Sequence, residues 1–539
     1  MTSVPFDTGE RQAIAAERRL TRLGVIDLGS NSGRLVLMLR QIHGIPLVVD
    51  EVQVTLRLAE GLQARGTIGA HAVRRALLAL RAFRRIAERF PTEALICVGT
   101  SAMRDAANGA QVARELEAAT GVAVRVLSGE EEAYYGYIAA VNSLPIRNGL
   151  VIDLGGGSLE LSLVRDRQLT RAVSLPLGAL RLTEQFLRND PPANHEIAGL
   201  RKYLAARLAE AGIGALGAEE MLVGAGGTVR TLAKIARRRA GLPSLRLHGY
   251  AVERRALEQL ARDLLRQPLR QRRRIPGLPA ERADTIGAGV LAIGEVMRAT
   301  RARALVVCGQ GLREGIAYEA YRARKSPLIR DPRRAGVEAF RERYVTGPLL
   351  GFTHEELRDT VHAIGPHPSD GVEPLALALF DRLAETLSPA VDDRALLSAA
   401  AMLCDAGRAV SLYRWNEHTA YLLTNGDLVG YTQREAALIG AVISAQTGGR
   451  IAPLRPDLAL DEAEQRRAGR LGAVLGLARW LRRLGVAADD PLSLRTTGRT
   501  LAVTLPPGVP TVEDEWLAGL ARGVRRYLGL TLAVQSLSV

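Results

Sequence analysis

The chain has 539 residues, with 72 Lys and Arg against 57 Asp and Glu, a net charge of +15; 47% of residues are apolar and 24% charged. That is ordinary globular composition, with length for three to four domains of about 150 residues each, and it excludes a disordered, collagen-like or mucin-like chain. Only three cations are lysines (Lys202, Lys234, Lys325), and the arginine excess has two readings: solvated helix faces, or a partner that is a polyanion, a nucleic acid or an anionic membrane surface.

Residues 1–20 are polar, lack a secretory apolar core and read as a loosely ordered leader. The run 22–39 predicts strand, glycine turn, strand; 70–90 predicts a helix; 94–109 predicts a buried strand, a loop carrying Arg104, and a helix start. Residues 122–141 predict strand, cap and helix, 148–178 a run of strands, and 220–236 strand, glycine turn and a helix opened by Thr228. A helix over 282–300 and strand, turn, helix over 302–321 follow. From 335 to 450 the pattern is helical, and 456–539 mixes helices with strands at 499–505 and 530–536.

No uncharged apolar stretch reaches the roughly 18–20 residues of a membrane span. Cys97, Cys308 and Cys404 are far apart with no CxxC, which argues against disulfides and thiolate zinc and for a reducing cytoplasm. The eight histidines are scattered, His362 and His367 being the closest-spaced pair singled out, and no nucleic-acid-binding signature is present, so a nucleic-acid reading rests on charge alone.

One repeat organises the first half. GVIDLGSNSGRLVL and LVIDLGGGSLELSL each end an apolar strand on an aspartate (Asp27, Asp153), place a serine five residues later (Ser32, Ser158) and return as a strand. Two such hairpins predict two related α/β lobes facing one cleft. Their turns, with Ser30, Asn31, Gly155, Gly156, Gly157 and Ser158, either are ordinary tight turns or offer close-approaching N–H and hydroxyl donors to an anion. Gly226, Gly227 and Thr228 form a third turn, at a helix N-terminus suited to phosphate.

Asp153 and Glu160, seven residues apart on one hairpin, suit Mg²⁺ or another divalent cation, with Asp27 as a further candidate; turn hydrogen bonding is the other reading of the aspartates. In SGEEEA, Ser128 and Glu131 predict a capping box and Glu130 sits in the first turn, which leaves Glu132 without a capping duty and makes it the candidate general base. Arg34 and Arg104 are candidate phosphate clamps.

The segments IDLGSNSGRLVL, GTSAMRDAAN, LSGEEEAYYGY, VIDLGGGSLELSLV, SLPLGALRLTEQF, VGAGGTVRTLA and GLREGI, in this order over residues 22–320, resemble the exopolyphosphatase / guanosine pentaphosphate phosphohydrolase (Ppx/GppA) phosphatase family. The resemblance implies a duplicated actin-like, sugar-kinase ATPase (ribonuclease H-like) fold, with lobes over 21–140 and 141–325. It implies that Glu132 activates water, that Asp153 and Glu160 form the acidic cleft pair, and that Ser30, Asn31, Gly155 to Ser158, Gly226 to Thr228, Arg34 and Arg104 contact phosphate. Gly33 stands where a bulky residue is usual and Leu159 where threonine is usual.

The resemblance continues into a helical HD-like domain (335–455) and a small α/β domain (456–539). There Cys404-Asp405 replaces the usual His-Asp, Asn416-Glu417 the usual His-His with His418 nearby, and Pro368 an upstream histidine. That pattern predicts no HD catalysis, but substrate binding or dimerisation. The expected activity is Mg²⁺-dependent release of terminal phosphate from inorganic polyphosphate by a cytoplasmic homodimer with no specific nucleic-acid or membrane partner, the basic C-terminal half holding the remaining polymer. Guanosine pentaphosphate is the alternative substrate; a non-catalytic polyphosphate- or nucleic-acid-binding protein and an ATP-dependent kinase are the alternative classes.

Overall fold

A computed structural model describes residues 20–242, 246–322, 326–346, 369–449, 451, 458–509 and 515–536. The leader (but for Leu20), Lys325, the His362/His367 pair and Pro368 lie outside the described residues. The chain divides into two compact units between Pro332 and Arg333.

The first unit holds two sheets. β1 (Arg22–Leu28), β2 (Ser32–Arg40), β3 (Pro46–Thr55), β4 (Ala94–Gly99) and β5 (Val124–Val126) run in the order β3-β2-β1-β4-β5. β6 (Gly149–Leu154), β7 (Leu159–Arg165), β8 (Gln168–Leu175), β9 (Met221–Ala225), β10 (Ala251–Glu253) and β11 (Ala304–Val307) run β10-β11-β9-β6-β7-β8. In each, the first strand pairs antiparallel with the second and parallel with the fourth. Without the edge strand β10, the second sheet repeats the first. Even the irregularity repeats: a register shift falls between Leu37 and Met38 and between Leu163 and Val164, at the same distance from Asp27 and Asp153. The expected duplicated α/β architecture is present.

Helices cover the sheets. α1 (Ala70–Arg89) buries Ala72, Ala76, Ala79, Leu80, Phe83 and Ala87 at helical spacing and turns its arginines outward. α2 (Ser101–Asp105) follows β4 and holds Arg104, which was expected in a loop; the turn closes through Met103 N and Arg104 N on Thr100 O. α3 (Gly129–Ser143) begins with the predicted capping box: Glu131 N donates to Ser128 Oγ (3.1 Å) and Ser128 N to Glu131 Oε2 (2.8 Å).

α4 (Gly226–Arg239) starts two residues before the expected Thr228. Gly226 has φ 89°, and a Cβ there would lie 2.4 Å from Asp153 Oδ1, so only glycine lets the helix begin against that carboxylate. α5 (Ile286–Ala299) packs in the second lobe's core, and α6 (Leu312–Tyr321) in a small cluster with β1 and β2 residues. The unexpected β3 is an edge strand with Val48 and Val49 exposed. Its alternating polar sequence carries Glu51 beside β2, where Val36 is its register partner.

The second unit is helical, with a three-stranded sheet of β12 (Ser493–Thr497), β13 (Thr500–Leu505) and β14 (Thr531–Ser536). β12 was not foreseen: its residues are mostly exposed, so they carry no apolar alternation. The charge distribution also corrects an expectation. Residues 1–332 hold 49 Lys and Arg against 33 Asp and Glu (+16), and residues 333–539 hold 23 against 24 (−1). The C-terminal half is not basic; the excess lies in the first unit.

In that second unit Asp405 is fully buried. Arg479 Nη2 donates to its Oδ1 at 2.6 Å, Arg408 Nε lies 3.0 Å from the same oxygen, and Arg479 Nη1 donates to Gln446 Oε1 at 2.7 Å. A guanidinium therefore takes up the acid. Glu417 is half-exposed and paired with Arg414. Among the described residues no group of three or more His, Cys, Asp or Glu could hold a metal ion.

Candidate functional site

The two hairpin turns meet across a cleft of about 140 Å³ in the first unit. Each turn is closed by the same bond, Gly29 N to Ser32 O (3.1 Å) and Gly155 N to Ser158 O (3.0 Å). The turns touch: a Cβ on Gly156 would lie 3.2 Å from Ser30 Cβ, and one on Gly157 would lie 2.5 Å from Ser101 Oγ. Ser30 and Ser101 hydroxyls hydrogen-bond at 2.8 Å beside them. A side chain at Gly157 would displace the Ser30 and Ser101 hydroxyls, and one at Gly156 would press on Ser30.

The cleft is lined by Asp27, Ser30, Asn31, Arg34, Glu132, Asp153, Gly155, Gly156, Ser158, Glu160, Gly226, Gly227 and Thr228, all named from the sequence. Gly157 lies behind the wall, in a smaller pocket with Arg181 and Glu184. Arg104 does not line the cleft. It donates to Glu132 Oε1, and to Leu127 O at 3.1 Å, so it grips the candidate base from behind.

Of the three adjacent glutamates, Glu130 is exposed and lies outside the cleft wall, Glu131 is held by the cap and by Arg125, and Glu132 alone reaches the cleft. Burial pushes the Glu132 carboxyl well above the usual glutamate range; Glu160 and Asp27 add to the rise, and Arg104 opposes it.

Asp153 and Glu160 are direct partners across β6 and β7. Burial raises both, Asp153 to about 6 and Glu160 to about 7, with Asp153 adding to the rise at Glu160. Ser174 Oγ donates to Glu160 Oε1 at 2.9 Å. Asp27 is also raised by burial, and its Oδ1 is buried with no hydrogen-bond partner among the described residues. Glu160, buried, and its half-buried partner Asp153 make a carboxylate pair that fits a divalent cation, since Mg²⁺ takes one or two carboxylates and fills its remaining positions with water and phosphate; with Asp27 they do not make up a three-ligand group.

Four guanidinium groups face these acids. Arg34 and the expected phosphate turns were legible; Arg230, Arg282 and Arg313 were missed. Arg34 and Arg313 both donate to Glu51 Oε1, at 2.7 and 2.9 Å. Burial works against the ionised Glu51, but Arg313 and Arg34 outweigh it and hold its carboxyl below the usual range. Arg34 is itself lowered to about 10 by burial and by Arg230 and Arg313. Arg230 donates to Gly309 O at 3.0 Å. VGAGGTVR in the second lobe resembles VGTSAMR in the first only loosely: Arg230 lies seven residues after Val223 and Arg104 six after Val98, so the two arginines are not register counterparts. The three missed arginines had no specific sequence signal in a chain with 69 arginines.

Gly33 has a local reason. A Cβ there would lie 2.7 Å from Leu56 Cδ1, so the space of a larger side chain is filled by Leu56. The three cysteines are free and buried, and burial pushes the Cys308 and Cys404 thiols up to about 12. Among the described residues no helix is long and apolar enough to cross a membrane.

Known proteins resemble this chain in sequence and fold. The chain is 35% identical over 303 residues to exopolyphosphatase 1 of Mycobacterium tuberculosis, covering 55% of this chain and 87% of that protein. The crystal structure of an Aquifex aeolicus Ppx/GppA family member superposes with a TM-score of 0.50 at 26% identity, covering 57% of this chain and all of that one. A Cytophaga hutchinsonii exopolyphosphatase shares the fold, with a TM-score of 0.52 at 24% identity over 57% of this chain and 100% of its own. Residues 353–518 match domain III of the Ppx/GppA phosphatases. Residues 37–323, which carry most of both lobes but begin after the first hairpin turn, match the family itself, and the chain is a member of the Ppx/GppA phosphatase family.

Proposed function

We propose that this enzyme is an exopolyphosphatase, hydrolysing the terminal phosphoanhydride of inorganic polyphosphate to orthophosphate. The observation that carries the reading is Glu132: one largely buried carboxylate, gripped by Arg104, in the wall of a cleft that also holds four guanidinium groups and three glycine turns. The 35% identity to a protein named exopolyphosphatase supports the same substrate.

The chain's own groups divide the work. The turn N–H groups of Gly155, Gly156, Gly226 and Gly227 and the hydroxyls of Ser30, Ser158 and Thr228 hold the terminal phosphoryl group. Arg34, Arg230, Arg282 and Arg313 neutralise the anion and orient it for in-line attack. Ionised Glu132 accepts a proton from water as the water oxygen bonds to the terminal phosphorus, and the bridging P–O bond breaks toward the remaining chain. Asp153 and Glu160, with Asp27 beside them, would hold a divalent cation, which when bound supplies charge neutralisation at the phosphoryl oxygens. The family resemblance extends the proposal to a cytoplasmic homodimer whose HD-like domain has no catalysis of its own.

The test is phosphate release from polyphosphate with Mg²⁺, beside guanosine pentaphosphate and ATP. Polyphosphate should be preferred, and Glu132→Gln should lower kcat by about 10²–10⁴. Equal slow release by wild type and variant would falsify the enzymatic assignment of Glu132; preference for guanosine pentaphosphate would replace the substrate.

A further inference from the structure

A long polyanion cleaved at its end has to lie somewhere beyond the cleft, and the expected place, the C-terminal unit, has no cationic excess. The first unit offers another path. Along α4, Gly227, Arg230, Lys234 and Arg238 are spaced by three, four and four residues, which puts them on one stripe of the helix. Gly227 and Arg230 line the cleft, while Lys234 and Arg238 are exposed. At 1.5 Å per residue the stripe extends about 16 Å from Gly227.

A second element flanks the stripe. The loop before α5 passes alongside α4, where a Cβ on Gly277 would lie 3.3 Å from Arg238 Cδ and 3.5 Å from the Lys234 carbonyl carbon. The same loop returns Arg282 to the cleft, with its guanidinium against Gly227, where a Cβ would lie 2.2 Å from Nη2. The four cations act on one another. Burial first, then Arg230, Arg238, Arg282 and Arg34, lower the Lys234 ammonium, as cations placed along one stripe should.

Among the described residues these four cations are held in no ion pair, although Arg230 acts on Asp153 across the cleft and Glu281 acts on Arg282. Elsewhere in the unit cleft-side arginines are paired, Arg57 with Asp284, Arg181 with Asp105, Arg34 and Arg313 with Glu51. Among the described residues Arg230, Lys234, Arg238 and Arg282 have no carboxylate within 4 Å.

Resting on the exopolyphosphatase reading, we infer that Arg230, Arg282, Lys234 and Arg238 form an exit track on α4 that holds the trailing phosphates of a linear polyphosphate behind the one being cleaved. The track recognises a run of closely spaced phosphoryl charges, with no element that reads a base. Short substrates end before Lys234 and Arg238; long ones reach them.

The experiment compares the full-length protein with Lys234→Gln/Arg238→Gln, using long-chain polyphosphate and tripolyphosphate. Equilibrium binding of fluorescently labelled long-chain polyphosphate is measured in parallel. The track requires KM and Kd for the long chain to rise about tenfold, a few-fold for each exposed cation neutralised, with tripolyphosphate kinetics unchanged. Lys234→Arg/Arg238→Lys, which keeps the charge, should restore wild-type values. Equal effects on both substrates, or unchanged long-chain KM and Kd, overturn the track. Binding reports on the track even if no phosphate is released, an outcome that removes the exopolyphosphatase reading instead.

Discussion

At the end of β1, Asp27 faces Arg34 across the ladder; at the same place in the second lobe, Asp153 faces Glu160. The turn bonds, the strand order and the position of the register shift are the same in both lobes. The seventh residue after each aspartate differs in charge. In the first lobe burial also raises Asp27, but a guanidinium, itself shared with Glu51, opposes the rise. In the second, two acids lie side by side and both are driven toward protonation. A duplicated scaffold thus presents one wall suited to an anion and one suited to a cation, and the proposed reaction needs both.

Copying the first lobe onto the second gives the largest expected effect. Glu160→Arg should lower polyphosphate hydrolysis by about a thousandfold or more, with a thermal melt showing that the fold survives; near-normal turnover would break the contrast between the hairpins. Next comes the grip on the base. Arg104 lowers the Glu132 pKa, so Arg104→Gln should move the acid limb of the kcat–pH profile to higher pH, whereas a merely structural arginine would leave its position unchanged.

Stability sharpens the comparison further. Glu160 and Asp153 have raised pKa values, about 7 and about 6 against ordinary values of 4.5 and 3.8. Between pH 4 and 7 the folded protein therefore holds protons that the unfolded chain has released, so stability contributed by these groups falls as pH rises through that window. Without divalent cation, melting temperature should drop by about 2–4 °C over that range, and Mg²⁺ should recover most of the loss at pH 7. A flat profile with no Mg²⁺ response would remove the cation from the second hairpin. The smallest effect is expected at Glu51: Glu51→Gln frees Arg34 and Arg313 from a half-exposed partner and should change KM by about two- to threefold.

Local chemistry made part of this readable in advance. The paired DxGxxS hairpins announced two lobes, because a strand ending in a glycine turn is specified by a few adjacent residues. Ser128 and Glu131 capped α3 as their spacing requires, and by elimination Glu132 was left for the cleft. Arg104 was singled out correctly as near the site but for a different partner, since whether an arginine meets a phosphate or a glutamate depends on what the fold brings opposite it. β3 and β12 went unnoticed because edge strands bury too little to carry an apolar pattern.

The amino-acid sequence by itself determined the duplicated lobes, the glycine turns and the carboxylates at their strand ends, all of which are set within about fifteen residues of chain at each hairpin. Tertiary structure alone decided which arginines join them. Arg230, Arg282 and Arg313 come from positions 203 to 286 residues beyond Asp27 and resemble dozens of others in the sequence. Their electrostatic effect depends on distance and burial in space, and neither quantity is written in local spacing.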